Sequence, residues 1–105
     1  MTIPDPKISA IIPAKGEWPH LEACLSSILN SNYLNFDIIV VNDGLSDKAI
    51  ISLEKYINKI RILTSGGRGP SYARNLAVQN TDAEFIAFTD SDCLVDKEWL
   101  IHLLA

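Results

Sequence analysis

Four short apolar runs alternate with four stretches of helical periodicity along this chain. Ile8-Ser9-Ala10-Ile11-Ile12 ends at Pro13, and Phe36-Asp37-Ile38-Ile39-Val40-Val41 ends at Asn42-Asp43-Gly44. Ile60-Arg61-Ile62-Leu63 runs toward Ser65-Gly66-Gly67, and Glu84-Phe85-Ile86-Ala87-Phe88 ends at Thr89-Asp90-Ser91-Asp92. Each run is β-branched or aromatic and closes in turn chemistry, which predicts strands. Their near-continuous apolarity suits a sheet buried on both faces.

The gaps between the runs read as helices. Pro19 fits a first helical position, and Leu21, Cys24, Leu25, Ile28 and Leu29 follow as one stripe at spacings of three and four. Ser46 or Asp47 is placed to cap a second helix reaching about Ile57, with Ile50, Leu53 and Ile57 on one face. Pro70 opens a third, whose small residues Ser71, Ala73 and Ala77 let its backbone approach a sheet or a ligand. Asp96 is placed to cap a fourth, carrying Trp99, Leu100, Leu103 and Leu104. The order β-α-β-α-β-α-β-α predicts an α/β fold of about four mainly parallel strands with helices on both faces. Ligands of such sheets bind outside the carboxyl ends of the strands, and that is where the polar residues collect.

Composition narrows the class. The 105 residues suit a single domain, and 48% hydrophobic with 21% charged is an ordinary globular balance. Nine Lys and Arg against 13 Asp and Glu leave a net charge of −4, which argues against a nucleic-acid partner. An anionic ligand must then be met by backbone dipoles, an arginine or a metal. No apolar run approaches the roughly 18–20 residues of a membrane span, and Met1–Lys7 has no export-signal layout, so a cytosolic location is expected. Cys24 and Cys93 are far apart and read as reduced, small buried apolar residues. His20 and His102 lack a zinc-ligand spacing.

Four loops follow the four strands, and a parallel sheet gathers them on one edge. Asp43, Asp90 and Asp92 then come within reach of one ligand together with Arg74. Asp90-Ser91-Asp92 sets two carboxylates at i and i+2, able to address one hard cation such as Mg²⁺ or Mn²⁺; the same tripeptide also serves as a solvated turn. Asp43 can accept from a base N–H or a ribose hydroxyl, or simply belong to an Asn-Asp-Gly turn. Arg74 can reach a base oxygen or phosphate, or be a surface charge. Gly66-Gly67-Arg68-Gly69 can turn N–H groups toward an anion, or be a flexible connection.

The joint order of these segments is more specific than any one of them. Ile8–Glu17, Ile39–Gly44, Gly69–Asn75 and Phe85–Asp92, taken together, resemble the inverting family 2 glycosyltransferases of GT-A fold over about Lys7 to Leu104. The resemblance implies a Rossmann-like GT-A nucleotide-binding half and a nucleoside-diphosphate sugar donor, with UDP-sugar favoured. It implies that Pro13 and Lys15 border the base or ribose and that Glu17 approaches the ribose. It places Asp43 at the base and Arg74 near the base and phosphates. Asp90, Ser91 and Asp92 match the D-x-D, with Asp90 toward ribose or metal and Asp92 as the main ligand of Mn²⁺ or Mg²⁺. Gly16 stands where the family often has Asn, and Leu45 where it often has Ser.

In the family, the general base and most acceptor contacts lie beyond the D-x-D half. Only 13 residues follow Asp92, and Asp96 and Glu98 read as a cap and first turn, so no catalytic base is identified. Residues 1–105 are therefore expected to be one donor-binding domain, shorter than a full glycosyltransferase domain. Trp99, Leu103 and Leu104 should be partly uncovered, a face suited to self-association; a missing downstream segment would allow a place on the cytosolic face of a membrane. The first loop lacks G-x-G-x-x-G and the chain lacks a P-loop. A sugar nucleotidyltransferase would want a more basic, glycine-rich first loop. A non-catalytic nucleotide-sugar-binding module is the rival from a different class.

Overall fold

A computed structural model describes residues 6–16, 20–91 and 93–104. Strands β1 (Ile8–Gly16), β2 (Phe36–Leu45), β3 (Arg61–Thr64) and β4 (Phe85–Phe88) form one sheet in the order β3-β2-β1-β4. Every pairing is parallel. Between the strands run α1 (Leu21–Leu29), α2 (Asp47–Ser52) with a 3₁₀ turn at Glu54–Tyr56, and α3 (Pro70–Gln79); α4 (Trp99–Leu103) follows β4. The expected α/β alternation is present.

Strand periodicity divides the core between two faces. Ala10, Ile12, Ile38 and Val40 pack with Leu21, Cys24, Leu25 and Ile28 of α1 and with Ala49 of α2. Ile11, Ile39 and Val41 face the other way, under Ala73 and Ala77 of α3. Both alanines are fully buried, so the α3 backbone lies close on β1 and β2. Leu100 of α4 joins Ile8 and Ala87. Each fully buried aliphatic side chain contributes about 1.5–3 kcal/mol, and the central strands supply most of them.

Several boundaries differ from the sequence expectation. β1 runs through Pro13 and pairs it with Val41. The Ile11 carbonyl accepts from the Thr89 N–H on the β4 side, so Pro13, two residues on, also faces that side. β4 ends at Phe88, opposite Ile11, and a residue without an N–H is tolerated there as on an edge. β2 likewise continues to Leu45.

The second helix is shorter than its apolar stripe. Ser46 caps it, accepting from the Ala49 N–H at 3.2 Å, but regular helix ends at Ser52. Leu53 is buried, whereas Ile50 and Ile57 are exposed. The tighter 3₁₀ turn rotates Ile57 away from the stripe that 3.6-residue periodicity would continue. Asp96 is not the cap of α4, which begins at Trp99 with Glu98 in the cap position and no side-chain cap bond; the Asp96 carbonyl accepts from Trp99 N–H at 2.9 Å. Cys24 is buried as expected, but Cys93 is exposed, because it sits in the turn after β4 and not in an element. Pro19 lies outside the described residues. No helix among the described residues is long and apolar enough to cross a membrane. Leu103 is exposed, and Trp99 and Leu104 are half-buried beside β4, lining a groove of about 200 Å³.

Candidate nucleotide site

The chain leaves β1 toward β2 on one side, while β4 adds to the other side of β1. Loops diverging from neighbouring strands open a crevice at their carboxyl ends. A pocket of about 420 Å³ lies at those ends, lined by Pro13, Ala14, Lys15, Asp43, Pro70, Arg74, Asp90 and Ser91. Six residues expected at the site, Pro13, Lys15, Asp43, Arg74, Asp90 and Ser91, are thus brought together. Glu17 and Asp92 lie outside the described residues.

Asp43 is the most constrained of them. It is only 5% exposed, near the end of β2. Its Oδ1 accepts from Ser65 Oγ at 2.6 Å and from the Arg68 N–H at 2.9 Å, and its Oδ2 accepts from the Gly69 N–H at 3.1 Å. The Ser65 hydroxyl above all, then the N–H groups of Arg68, Gly69 and Gly67, hold its carboxyl below the ordinary value against the opposing effect of burial. The glycine-rich loop therefore does turn its N–H groups toward an anion, but that anion is Asp43 itself. Gly69, with φ of 97°, makes the turn into α3 that an L-residue would resist. Pro70 then occupies the first turn, where a missing N–H costs nothing.

The register explains why Ser65 meets Asp43. Thr64 pairs with Asn42, and the Ser65 N–H continues the ladder to the Asn42 carbonyl at 3.0 Å. The residues just past that pair, Ser65 and Asp43, are consequently neighbours. Asn42 closes the turn beyond, its Oδ1 accepting from Gly44 N–H at 3.1 Å and Leu45 N–H at 2.7 Å. Ser65 was missed from sequence; its place directly after β3, beside the strand bearing Asp43, was the available signal.

Arg74, one turn into α3, lies with Nη2 3.9 Å from Asp90 Oδ1 and its guanidinium 5.9 Å from the Phe88 ring centre. The ion pair is long and solvent-facing, so it constrains little, and Arg74 keeps donors available. Asp90 is held by its backbone: its carbonyl accepts from Cys93 N–H at 3.1 Å and from Cys24 Sγ at 3.6 Å. Its carboxylate is left exposed. Among the described residues no ion pair engages Lys15. With Asp43 committed to its loop, the pocket presents Lys15, Arg74 and one exposed carboxylate, an arrangement for a ligand bearing both anionic and hydrogen-bonding groups.

The model of Glycosyl transferase family 2 matches residues 9–105. The chain belongs to glycosyl transferase family 2. Its relatives include the poly(ribitol-phosphate) beta-N-acetylglucosaminyltransferase TarS of Staphylococcus aureus (strain Mu50 / ATCC 700699), 31% identical over 100 residues. That match covers 90% of this chain and 18% of TarS. The crystal structure of S. aureus TarS 1–349 in complex with UDP superposes with a TM-score of 0.83 at 29% identity, over 93% of this chain and 31% of that one. The UDP-GlcNAc complex gives a TM-score of 0.79 at 30% identity, over 93% of this chain and 30% of that one. The mannosyltransferase PcManGT from Pyrobaculum calidifontis, in complex with GDP-Man and Mn²⁺, shares the fold, with a TM-score of 0.79 at 22% identity over 94% of this chain and 31% of its own. This family 2 chain thus has the GT-A-like fold, and it spans less than a third of TarS and of PcManGT.

Proposed function

We propose that the pocket binds a nucleoside-diphosphate sugar, with UDP-sugar favoured, and that residues 1–105 form one donor-binding domain of a metal-assisted, inverting glycosyltransferase. The observation that carries the reading is the convergence of Lys15, Asp43, Arg74, Asp90 and Ser91 on one pocket at the carboxyl ends of a parallel sheet. The TarS complexes with UDP and UDP-GlcNAc support it.

In this reading Pro13 and Lys15 border the base and ribose, and Glu17 approaches the ribose. Asp43 accepts from the base with whatever capacity its loop leaves, and Arg74 supplies donors to the diphosphate. The residues fit a divalent cation. The exposed Asp90 carboxylate is a hard oxygen donor on the same pocket as Arg74, and Mg²⁺ is typically held through one or two carboxylates plus substrate phosphates. Among the described residues no group of three or more His, Cys, Asp or Glu forms a closed metal cage, so the proposed ligands are Asp90 and Asp92. A bound Mn²⁺ or Mg²⁺ would supply positive charge to the diphosphate leaving group. The chain's own residues bind and orient the donor; we assign no catalytic base.

Calorimetric titration of UDP into the chain, in Mn²⁺ and in EDTA, tests this. Binding that strengthens in Mn²⁺, with the gain lost in Asp90→Ala, is expected. Equal affinity in both buffers would remove the metal, and absence of UDP binding in either would remove the nucleotide.

A further inference from the structure

We propose that Ser65 is a positioning residue of this site: its hydroxyl fixes the Asp43 carboxylate as the hub on which the Gly66–Gly69 loop and the start of α3 are seated. The hub stands on geometry alone; its service to a nucleotide rests on the function proposed above.

Ser65 and Asp43 are two of only three buried polar or charged residues described, at 6% and 5% exposure. Buried polar groups must satisfy one another. The β2–β3 register delivers Ser65 beside Asp43, and the resulting Oγ to Oδ1 distance of 2.6 Å is that of a charge-assisted bond. Oδ1 has two acceptor lobes, and Ser65 and the Arg68 N–H take both; Gly69 takes one lobe of Oδ2. At most one lobe remains for a ligand.

The loop depends on this carboxylate. Gly66, Gly67 and Arg68 are exposed, and the Arg68 and Gly69 N–H groups both bond to Asp43, with the Gly67 N–H also turned to it. Gly69 is the residue that caps α3, and Arg74 lies one turn beyond Pro70. The body of α3 is held independently by Ala73 and Ala77, so loss of Ser65 should loosen the loop and not the helix.

Among the described residues, the charged groups around Asp43 are few. Lys15 of β1, Arg74 of α3 and Asp90 after β4 share its pocket, and Arg74 is turned to Asp90. The Arg68 side chain lies over the Tyr72 ring at 4.9 Å. Donors to the carboxylate, with Ser65 foremost, set its titration.

The amide protons of Arg68 and Gly69 report that titration directly, because each bonds to the carboxylate. Their ¹H–¹⁵N shifts are followed from pH 7 downward in the wild type, Ser65→Ala and Ser65→Cys; the last keeps a side chain of similar size with a weaker donor, should the alanine variant not fold. The wild-type midpoint is expected below the ordinary Asp value of about 3.9, and both variants should move it upward. Uridine titrations at the same pH values then read the site: its affinity should fall in acid, and the fall should begin at higher pH in the variants. A merely structural loss would lower affinity equally at every pH. A moved midpoint in a chain whose wild type binds no uridine would support the hub and overturn the nucleotide reading. An unmoved midpoint in both variants would overturn the hub, whether or not uridine binds.

Discussion

Replacing Asp43 with alanine removes the acceptor of three close donors at once, Ser65 Oγ at 2.6 Å, Arg68 N–H at 2.9 Å and Gly69 N–H at 3.1 Å, and of the Gly67 N–H beside them. Each hydrogen bond to an ionised group contributes about 1.5–3 kcal/mol net. The three losses do not add, because the donors share one network. Arg68 is exposed and its N–H regains water, while Ser65 Oγ already lies 3.4 Å from the Asn42 carbonyl and can turn to it. Removing the buried carboxylate also relieves its desolvation. A net loss of about 2–4 kcal/mol follows, a large share of the roughly 5–15 kcal/mol of a typical domain.

In a domain of this size about 1 kcal/mol moves Tm by about 4–8 °C. Asp43→Ala should therefore melt roughly 10–30 °C below wild type at pH 7 by far-ultraviolet circular dichroism. The pH dependence has a definite sign. Ser65, first among its partners, depresses the folded-state carboxyl, so the stability Asp43 contributes is complete above its unfolded value of about 3.9 and drains as pH falls through the lower folded value. The gap between wild type and variant should narrow in strong acid. A variant melting within about 3 °C of wild type at pH 7, or a gap that widens in acid, would refute the hub as a stabilising element.

Arg74→Ala should weaken UDP by about 1.5–3 kcal/mol, roughly ten- to a hundredfold, while uridine changes little; calorimetry with both ligands checks this, and equal losses would deny a phosphate contact. Ala73→Leu forces a larger side chain between α3 and the sheet, where Ala73 is fully buried, and should cost about 1–3 kcal/mol. Thermal melts beside the exposed control Ser71→Leu decide it: an unchanged melting point for Ala73→Leu would mean that α3 does not need its close seat.

The order of elements was written in local pattern, because apolar runs of period two and stripes of period 3.6 are properties of consecutive residues. β-α alternation then required a parallel sheet, which is why the polar strand ends could be assigned to one edge and why Lys15, Asp43, Arg74, Asp90 and Ser91 were found together. What each group does there was not local. Asp43 and the glycine loop are separated by more than 20 residues, and only the pairing of Asn42 with Thr64 turned two independent candidates into donor and acceptor of one another. The same holds for Pro13, which ends a strand by its own chemistry yet continues one here because β4 stops short beside it. It holds also for Ile57, an apolar residue left in solvent once the helix tightens at its end. Local periodicity selects which surfaces are buried, whereas register decides which lone pairs and N–H groups meet, and register is set by distant strands packing together.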